Sequence, residues 1–92
     1  LVMTLRLVLD EVISWQRAFE LLSLAPATIL DIPGGSLTVG SDADIVLIDP
    51  KTSWIITGRD FNLLSCITPF VCQPVEVRAV RTIVGGADIF IR

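Results

Sequence analysis

The sequence predicts an α+β fold in which amino-terminal helices are followed by short strands that end in a hairpin. Apolar residues after Ser14 recur at helical spacing, and this period changes to strand-like alternation after the Pro-Gly-Gly turn at residues 33–35. Near the end of the chain, two apolar runs flank the diglycine at residues 85–86, a loop typical of a tight hairpin. We therefore divide the chain into a helical segment, residues 1–32, and a β-rich segment, residues 33–92.

Three helices are expected in the helical segment. Residues 1–9 are apolar except at Thr4 and Arg6, so a helix here has no polar face and should be covered on most sides. Ser14 is predicted to cap a second helix, and Pro26 suits the first turn of a third, short helix. The predicted core side of the second helix consists of four apolar residues at helical spacing: Trp15, Ala18, Phe19 and Leu22.

Five short strands are expected in the β-rich segment. Leu37 and Val39 alternate with hydroxyl residues, which predicts the first strand. Residues 45–48 form an unbroken apolar run between carboxylates, which is typical of a strand covered on both faces. The other predicted strands cover residues 54–56, 77–84 and 87–91. The stretch from 57 to 74 has no sustained period and predicts a long ordered loop or short helical turns.

The composition excludes several classes of function. The 92 residues are 52% hydrophobic and 18% charged and contain no histidine, which removes histidine-based nucleophilic catalysis and histidine zinc ligands. The net charge of -3 and a pI near 4.6 argue against a nucleic-acid partner. No segment has the length and apolarity of a membrane span. Because the chain begins with Leu, we interpret it as an incomplete sequence, and it lacks the basic region of a signal peptide. Its two free-looking cysteines and the lack of a glycosylation sequon favour a cytoplasmic protein.

The acidic residues do not have the spacing of a metal site. Asp42, Asp44 and Asp49 lack the glycine and the glutamate that a calcium-binding loop places at fixed positions. We interpret them as turn and strand-boundary residues. Lys51 lies near Ser53 in a polar turn after a proline, where a solvated lysine is favoured over a Ser-Lys dyad.

Neither the cysteines nor the arginines form a catalytic pattern. Cys66 and Cys72 lack a basic neighbour that would favour a thiolate, so we expect small buried side chains. Arg78 and Arg81 are interpreted as strand or edge charges rather than as a ligand clamp. No catalytic, cofactor-binding or metal-binding residue is predicted anywhere in the chain.

One run carries a family resemblance. Residues 33–50 read PGGSLTVGSDADIVLIDP, which closely resembles the carboxyl-terminal signature of the amidohydrolase superfamily, G-S-(L/I)-x-x-G-x-x-A-D-(I/L)-V-(L/I)-x-D. Further along, Trp54, the Thr-Pro-Phe at residues 68–70 and the TIVxG at residues 82–86 are similar to features of the type I dihydroorotases, which are cyclic amidohydrolases. Four positions depart from that family's pattern: Ile67 in place of Asn, Cys72 and either Glu76 or Val77 in place of glycines, and Phe90 in place of a terminal Tyr.

The resemblance implies a zinc-dependent TIM-barrel hydrolase that interconverts carbamoyl aspartate and dihydroorotate in pyrimidine biosynthesis. It further implies that residues 1–32 are the last barrel helices and that residues 33–92 are the later half of a partial β-sandwich. The family's histidine and carboxylated lysine ligands, and its catalytic aspartate, lie upstream of the region matched here. None of them maps onto a residue of this chain, so zinc is expected only in a full-length parent.

Two hypotheses follow from these observations. The first is that the chain is the structural carboxyl-terminal part of a dihydroorotase-like enzyme, inactive alone, whose partner is the remainder of an amidohydrolase chain. The second is that it is a free-standing β-rich interaction or assembly module that self-associates through its apolar faces. Both place it in a homo-oligomer. The departures at Ile67, Cys72 and Phe90 leave open whether the parent is catalytic.

Overall fold

The computed structural model describes residues 1–60 and 69–92, which form a helical layer followed by small antiparallel sheets. Helix α1 covers Val2–Leu9, α2 covers Trp15–Phe19 and α3 covers Ala25–Leu30, with a π-helical turn at Glu20–Leu24 between the last two. The strands are β1 (Ile45–Asp49), β2 (Trp54–Ile55), β3 (Pro74–Val75), β4 (Arg78–Val84) and β5 (Ala87–Ile91). A 3-10 turn lies at Gly58–Asp60. The mixed helix and sheet composition predicted from the sequence is confirmed.

Local sequence signals explain how α2 begins and why the helix widens before α3. Ser14 has extended backbone angles, and its hydroxyl accepts a hydrogen bond from the amide of Arg17 at 3.1 Å, which confirms the predicted cap. Pro26 has no amide hydrogen to donate to the carbonyl four residues earlier. In a regular α-helix its ring would also clash with the carbonyl of Leu22. The backbone widens into a π turn just before it, in which the amide of Ala25 donates to the carbonyl of Glu20, five residues back.

The strands form two antiparallel sheets. The larger has the order β1-β4-β5, and the smaller pairs β2 with β3. The predicted hairpin joins β4 to β5: Gly85 and Gly86 have φ of 57° and 82°, the left-handed conformation that a type I′ turn requires at both positions. A bulge interrupts the β4–β5 register between Thr82 and Ile83.

Two expectations about strands are corrected by the structure. The predicted strand at Leu37 and Val39 does not form, because none of the segments that the structure describes pairs with it. The amide of Ser41 instead donates to the carbonyl of Thr38 in a turn. The predicted strand at residues 54–56 ends one residue earlier, at Ile55. The middle of the long stretch predicted as a loop, residues 61–68, lies outside the described residues.

A small core joins the helices to the sheets. It consists of Leu5, Val8, Ala18 and Val77, with Ile13 and Ile48 packed against it. Other apolar side chains that the sequence predicts to be covered are exposed among the described residues. Val46 and Leu47 in β1 are 47% and 44% exposed, so residues 1–60 and 69–92 do not cover β1 on both faces as the sequence predicts. Helix α1 also keeps Leu7 and Leu9 exposed.

Candidate functional site

The segment that carries the family signature is tied to the β4–β5 hairpin. A carboxylate oxygen of Asp44 accepts a hydrogen bond from the amide of Gly85 at 2.8 Å, across 41 residues of sequence. Beside it, the amide of Gly86 donates to the carbonyl of Ala43 at 3.1 Å. Because Gly85 and Gly86 have left-handed backbone angles, their amides can both be turned toward the signature segment. Asp44 therefore connects the signature segment to the hairpin through a direct hydrogen bond.

Asp49 closes the turn after β1. Its carboxylate accepts hydrogen bonds from the hydroxyl of Thr52 and from the amide of Lys51, the latter at 2.8 Å. These bonds, that from Thr52 first, hold the pKa of Asp49 below its usual value because they stabilise the ionised form. The side chains of Lys51 and Ser53 are exposed in this turn, in agreement with the prediction of a solvated lysine. The predicted turn role of Asp49 is confirmed.

The two arginines of β4 have structural partners. The guanidinium of Arg78 lies 4.7 Å from the centre of the Trp54 ring, whose indole N–H donates to the carbonyl of Val77 at 2.9 Å. Arg81 makes a two-pronged hydrogen bond with Asp88 on β5, with Nη2 2.6 Å from Oδ2. The bond from Arg81 lowers the pKa of Asp88, and the same bond raises the pKa of Arg81.

The residues that the structure describes do not include a set of side chains that could bind a metal ion. Within 1–60 and 69–92, no three His, Cys, Asp or Glu side chains come together in a group that could hold a metal ion. Cys72 is exposed at a left-handed backbone position with φ of 64°, which is contrary to the expectation that it is buried. Cys66 lies outside the described residues. The donors described here therefore do not fit zinc, which needs close thiolate, imidazole or carboxylate ligands.

An open groove of about 330 Å³ lies between α1 and the β2–β3 sheet. Its charged lining comprises Arg6, Asp10 and Glu76, and the guanidinium of Arg6 lies 4.0 Å from the carboxylate of Asp10. These side chains are solvated, and no nucleophile paired with a base lies among them.

Sequence reasoning did not identify the contact of Asp44 with Gly85 or the stacking of Arg78 on Trp54. Both depend on which strands become neighbours, and no local pattern encodes that.

None of the helices within the described ranges has the length and hydropathy that crossing a lipid bilayer requires.

Comparison with known proteins decides the family. The model of the amidohydrolase family matches residues 1–87. The chain belongs to this family. It is similar to the dihydroorotase of Syntrophotalea carbinolica, with 40% identity over 84 residues that cover 91% of this chain and 20% of that protein. It is also similar to the dihydroorotase of Geobacter metallireducens, with 37% identity over 92 residues, which is 100% of this chain and 22% of that protein.

Solved structures extend the comparison to hydantoinases. A D-hydantoinase has a TM-score of 0.91 with this amidohydrolase chain at 26% identity, over 99% of this chain and 20% of its own. The L-hydantoinase (dihydropyrimidinase) of Arthrobacter aurescens has a TM-score of 0.80 at 30% identity, over 86% of this chain and 18% of its own. The chain therefore spans about a fifth of the length of the relatives it matches.

Proposed function

We propose that this chain is the carboxyl-terminal structural part of a dihydroorotase-like hydrolase of cyclic amides and holds no catalytic residue of its own. The observation that carries the proposal is the match to the Geobacter metallireducens dihydroorotase, which includes all 92 residues of this chain but only 22% of that enzyme. The reaction of the whole enzyme in this proposal is the interconversion of carbamoyl aspartate and dihydroorotate, a step of pyrimidine biosynthesis in the cytoplasm.

In this proposal the helices are the last helices of a TIM barrel and the strands are the later half of a β-sandwich beside it. The D-hydantoinase TM-score of 0.91 supports such a placement, because nearly the whole chain is superposed on one part of a larger hydrolase. Zinc belongs to the remainder of the enzyme, since the sequence has no histidine and the described donors do not fit the ion.

The role assigned to this chain is to pack and to position. The contact between Asp44 and Gly85 holds the signature segment against the hairpin, and the core around Leu5 and Val77 holds the helices against the sheets. A part built in this way supplies buried surface and rigidity to an enzyme whose reacting groups lie elsewhere.

A chimera tests the proposal. The matched part of the Geobacter metallireducens dihydroorotase is replaced by this whole chain, and zinc content, thermal midpoint and dihydroorotate hydrolysis are measured beside the parent enzyme. We expect a folded, zinc-loaded and active chimera, whereas the purified 92-residue chain should bind no stoichiometric zinc and hydrolyse no dihydroorotate. A chimera that does not fold, or turnover by the isolated chain, contradicts the proposal.

A second candidate function is a non-enzymatic assembly module that self-associates into a homo-oligomer. The observation that favours it is the apolar surface of the larger sheet, where Leu47 on β1 and Ile89 and Ile91 on β5 are exposed. Light scattering coupled to size exclusion distinguishes the two. A discrete oligomer of the purified chain supports the module, and a stable monomer contradicts it.

A further inference from the structure

One peptide bond of this chain differs in its chemistry from all the others: the bond between Asp49 and Pro50. It is the only place in the sequence where an aspartate precedes a proline. The bond lies at the end of β1, in the turn that leads to β2. Pro50 is exposed in this chain, so water reaches the bond.

The proline limits the reactions that are open to the aspartate before it. After most aspartates, the next amide nitrogen can attack the side-chain carboxyl and lose its hydrogen as a succinimide ring closes. Pro50 has no amide hydrogen, so a neutral succinimide cannot form at this bond. The intramolecular attack that remains is that of a carboxylate oxygen of Asp49 on its own main-chain carbonyl carbon, which closes a cyclic anhydride.

Formation of this anhydride breaks the backbone. As the new C–O bond forms, the C–N bond to Pro50 breaks, and the proline nitrogen takes a proton from the acidic solvent and leaves as a secondary amine. One water molecule then opens the anhydride and leaves Asp49 with a free main-chain carboxyl and its original side-chain carboxyl. The net reaction consumes one water and requires no oxidant, reductant or enzyme.

The fold restrains the attacking carboxylate. One oxygen of Asp49 accepts a hydrogen bond from the amide of Lys51 at 2.8 Å, and the other accepts one from the hydroxyl of Thr52. Both donors follow Pro50 in the chain, so attack on the carbonyl carbon of Asp49 competes with these two bonds. The same bonds, that from Thr52 first, lower the pKa of Asp49, and a less basic carboxylate is a weaker nucleophile.

We propose that the bond between Asp49 and Pro50 is a site of spontaneous backbone cleavage in acid, and that the hydrogen bonds from Lys51 and Thr52 slow this cleavage in the folded chain. The ligand that the site takes is water. The slowing is a property of the folded turn, because unfolding removes both donors from the carboxylate.

A cut at this bond should leave the two pieces of the chain together. Strand β1, in the first piece, pairs with β4 of the second along its whole length. The core contains Leu5 from the first piece and Val77 from the second. The carboxylate of Asp44 also accepts the amide of Gly85 across the cut. The cleaved chain should therefore remain one complex until it is unfolded.

Incubation of the purified chain at about pH 4, near the ordinary pKa of a carboxyl, with and without urea tests the site without any variant. Mass spectrometry under denaturing conditions should detect fragments of residues 1–49 and 50–92, formed more slowly without urea than with it. Absence of these fragments from the urea sample overturns the cleavage site. Equal rates with and without urea overturn the protection by the fold.

A pair of valine variants tests the contribution of Thr52. Thr52→Val removes a hydroxyl that donates to Asp49, whereas Thr28→Val removes a hydroxyl that donates to the carbonyl of Leu24 in the helical layer, at 2.9 Å. Without urea, Thr52→Val should be cleaved roughly fivefold faster than Thr28→Val, which corresponds to the loss of one hydrogen bond, and Thr52→Ser should restore the slow rate. Equal rates for the two valine variants overturn the role of Thr52.

Two further measurements test the mechanism and its product. Asp49→Glu retains the charge but requires a larger anhydride ring, so this variant should lose the cleavage even in urea; unchanged cleavage contradicts attack by the Asp49 carboxylate. Size exclusion of a partly cleaved sample without urea should give one peak at the position of the intact chain. Elution of the two fragments as separate peaks overturns the prediction that β1 and β4 hold them together.

Discussion

Removal of the Asp44 carboxylate tests whether this aspartate of the signature stabilises the fold by its hydrogen bond to the hairpin. Asp44→Ala removes the acceptor for the amide of Gly85, 2.8 Å away, and leaves the backbone unchanged. A hydrogen bond to a charged group contributes about 1.5–3 kcal/mol when it is shielded from water. Because Asp44 is exposed, water can replace part of the interaction, and we expect a loss of about 1 kcal/mol in the free energy of unfolding.

Urea unfolding of the 92-residue chain, followed by circular dichroism, measures this loss. With a slope of about 1 kcal/mol per molar urea for a small domain, the midpoint should fall by roughly 1 M. Asp42→Ala is the matched control, because it removes the same charge from the same turn, where Asp42 contributes its main-chain carbonyl to the amide of Asp44 at 3.0 Å. Asp44→Asn retains an acceptor oxygen and should fall between the two.

Amide hydrogen exchange locates the effect. The amide of Gly85 should exchange faster in the Asp44→Ala chain than in the Asp42→Ala chain, since only the first loses its acceptor. Equal urea midpoints and equal amide exchange rates at Gly85 in the two alanine variants would refute a stabilising role for the hydrogen bond of Asp44.

Three further predictions concern the core, the π-helical turn and the hairpin. Leu5→Ala, at a fully buried side chain, should lower the free energy of unfolding by about 2–5 kcal/mol, far more than Leu7→Ala, which is 42% exposed on the same helix; comparable urea midpoints would contradict this. Gly35→Ala should lower the thermal midpoint more than Gly40→Ala. Both glycines have positive φ, but of the two only Gly35 has backbone close to the position of an added Cβ, with a carbonyl oxygen of the π-helical turn 2.8 Å away. The pKa of Asp88 is lower in the folded chain than its ordinary value of 3.8, so its carboxylate stabilises the folded state above pH 3.8, and this stabilisation is lost as the pH falls through the folded-state pKa. Asp88→Asn should therefore weaken the dependence of the unfolding midpoint on acid pH. An unchanged dependence would contradict this prediction.

Features set by residues close together in sequence were predictable. The cap at Ser14, the short helix after Ala25 and the hairpin at Gly85 and Gly86 depend on one side chain or on one pair of backbone angles. The interpretation of Asp49 as a turn residue was correct for the same reason, because its partners are two and three residues away. The signature at residues 33–50 was sufficient to identify the family, which the comparisons confirm.

Pairing between distant segments was not predictable in the same way. Leu37 and Val39 alternate as a strand does, but alternation without a neighbouring strand leaves a turn and exposed side chains. The expectation that Cys72 is buried was wrong: the residue lies in a turn, at a left-handed backbone position, and its side chain is exposed. The partner of Asp44 is 41 residues away, and nothing in its local sequence indicates which amide it meets.

By itself, the sequence determined the family, the types of the main elements and the turns that separate them. Packing sets how far each apolar side chain is buried: on the core side predicted for the second helix, Ala18 is fully buried, while Trp15, Phe19 and Leu22 remain 36%, 44% and 36% exposed. Apolar residues that recur at the helical period indicate that one face of the helix is shielded from water. Which surface covers that face depends on packing between segments far apart in the chain, and no local pattern encodes it.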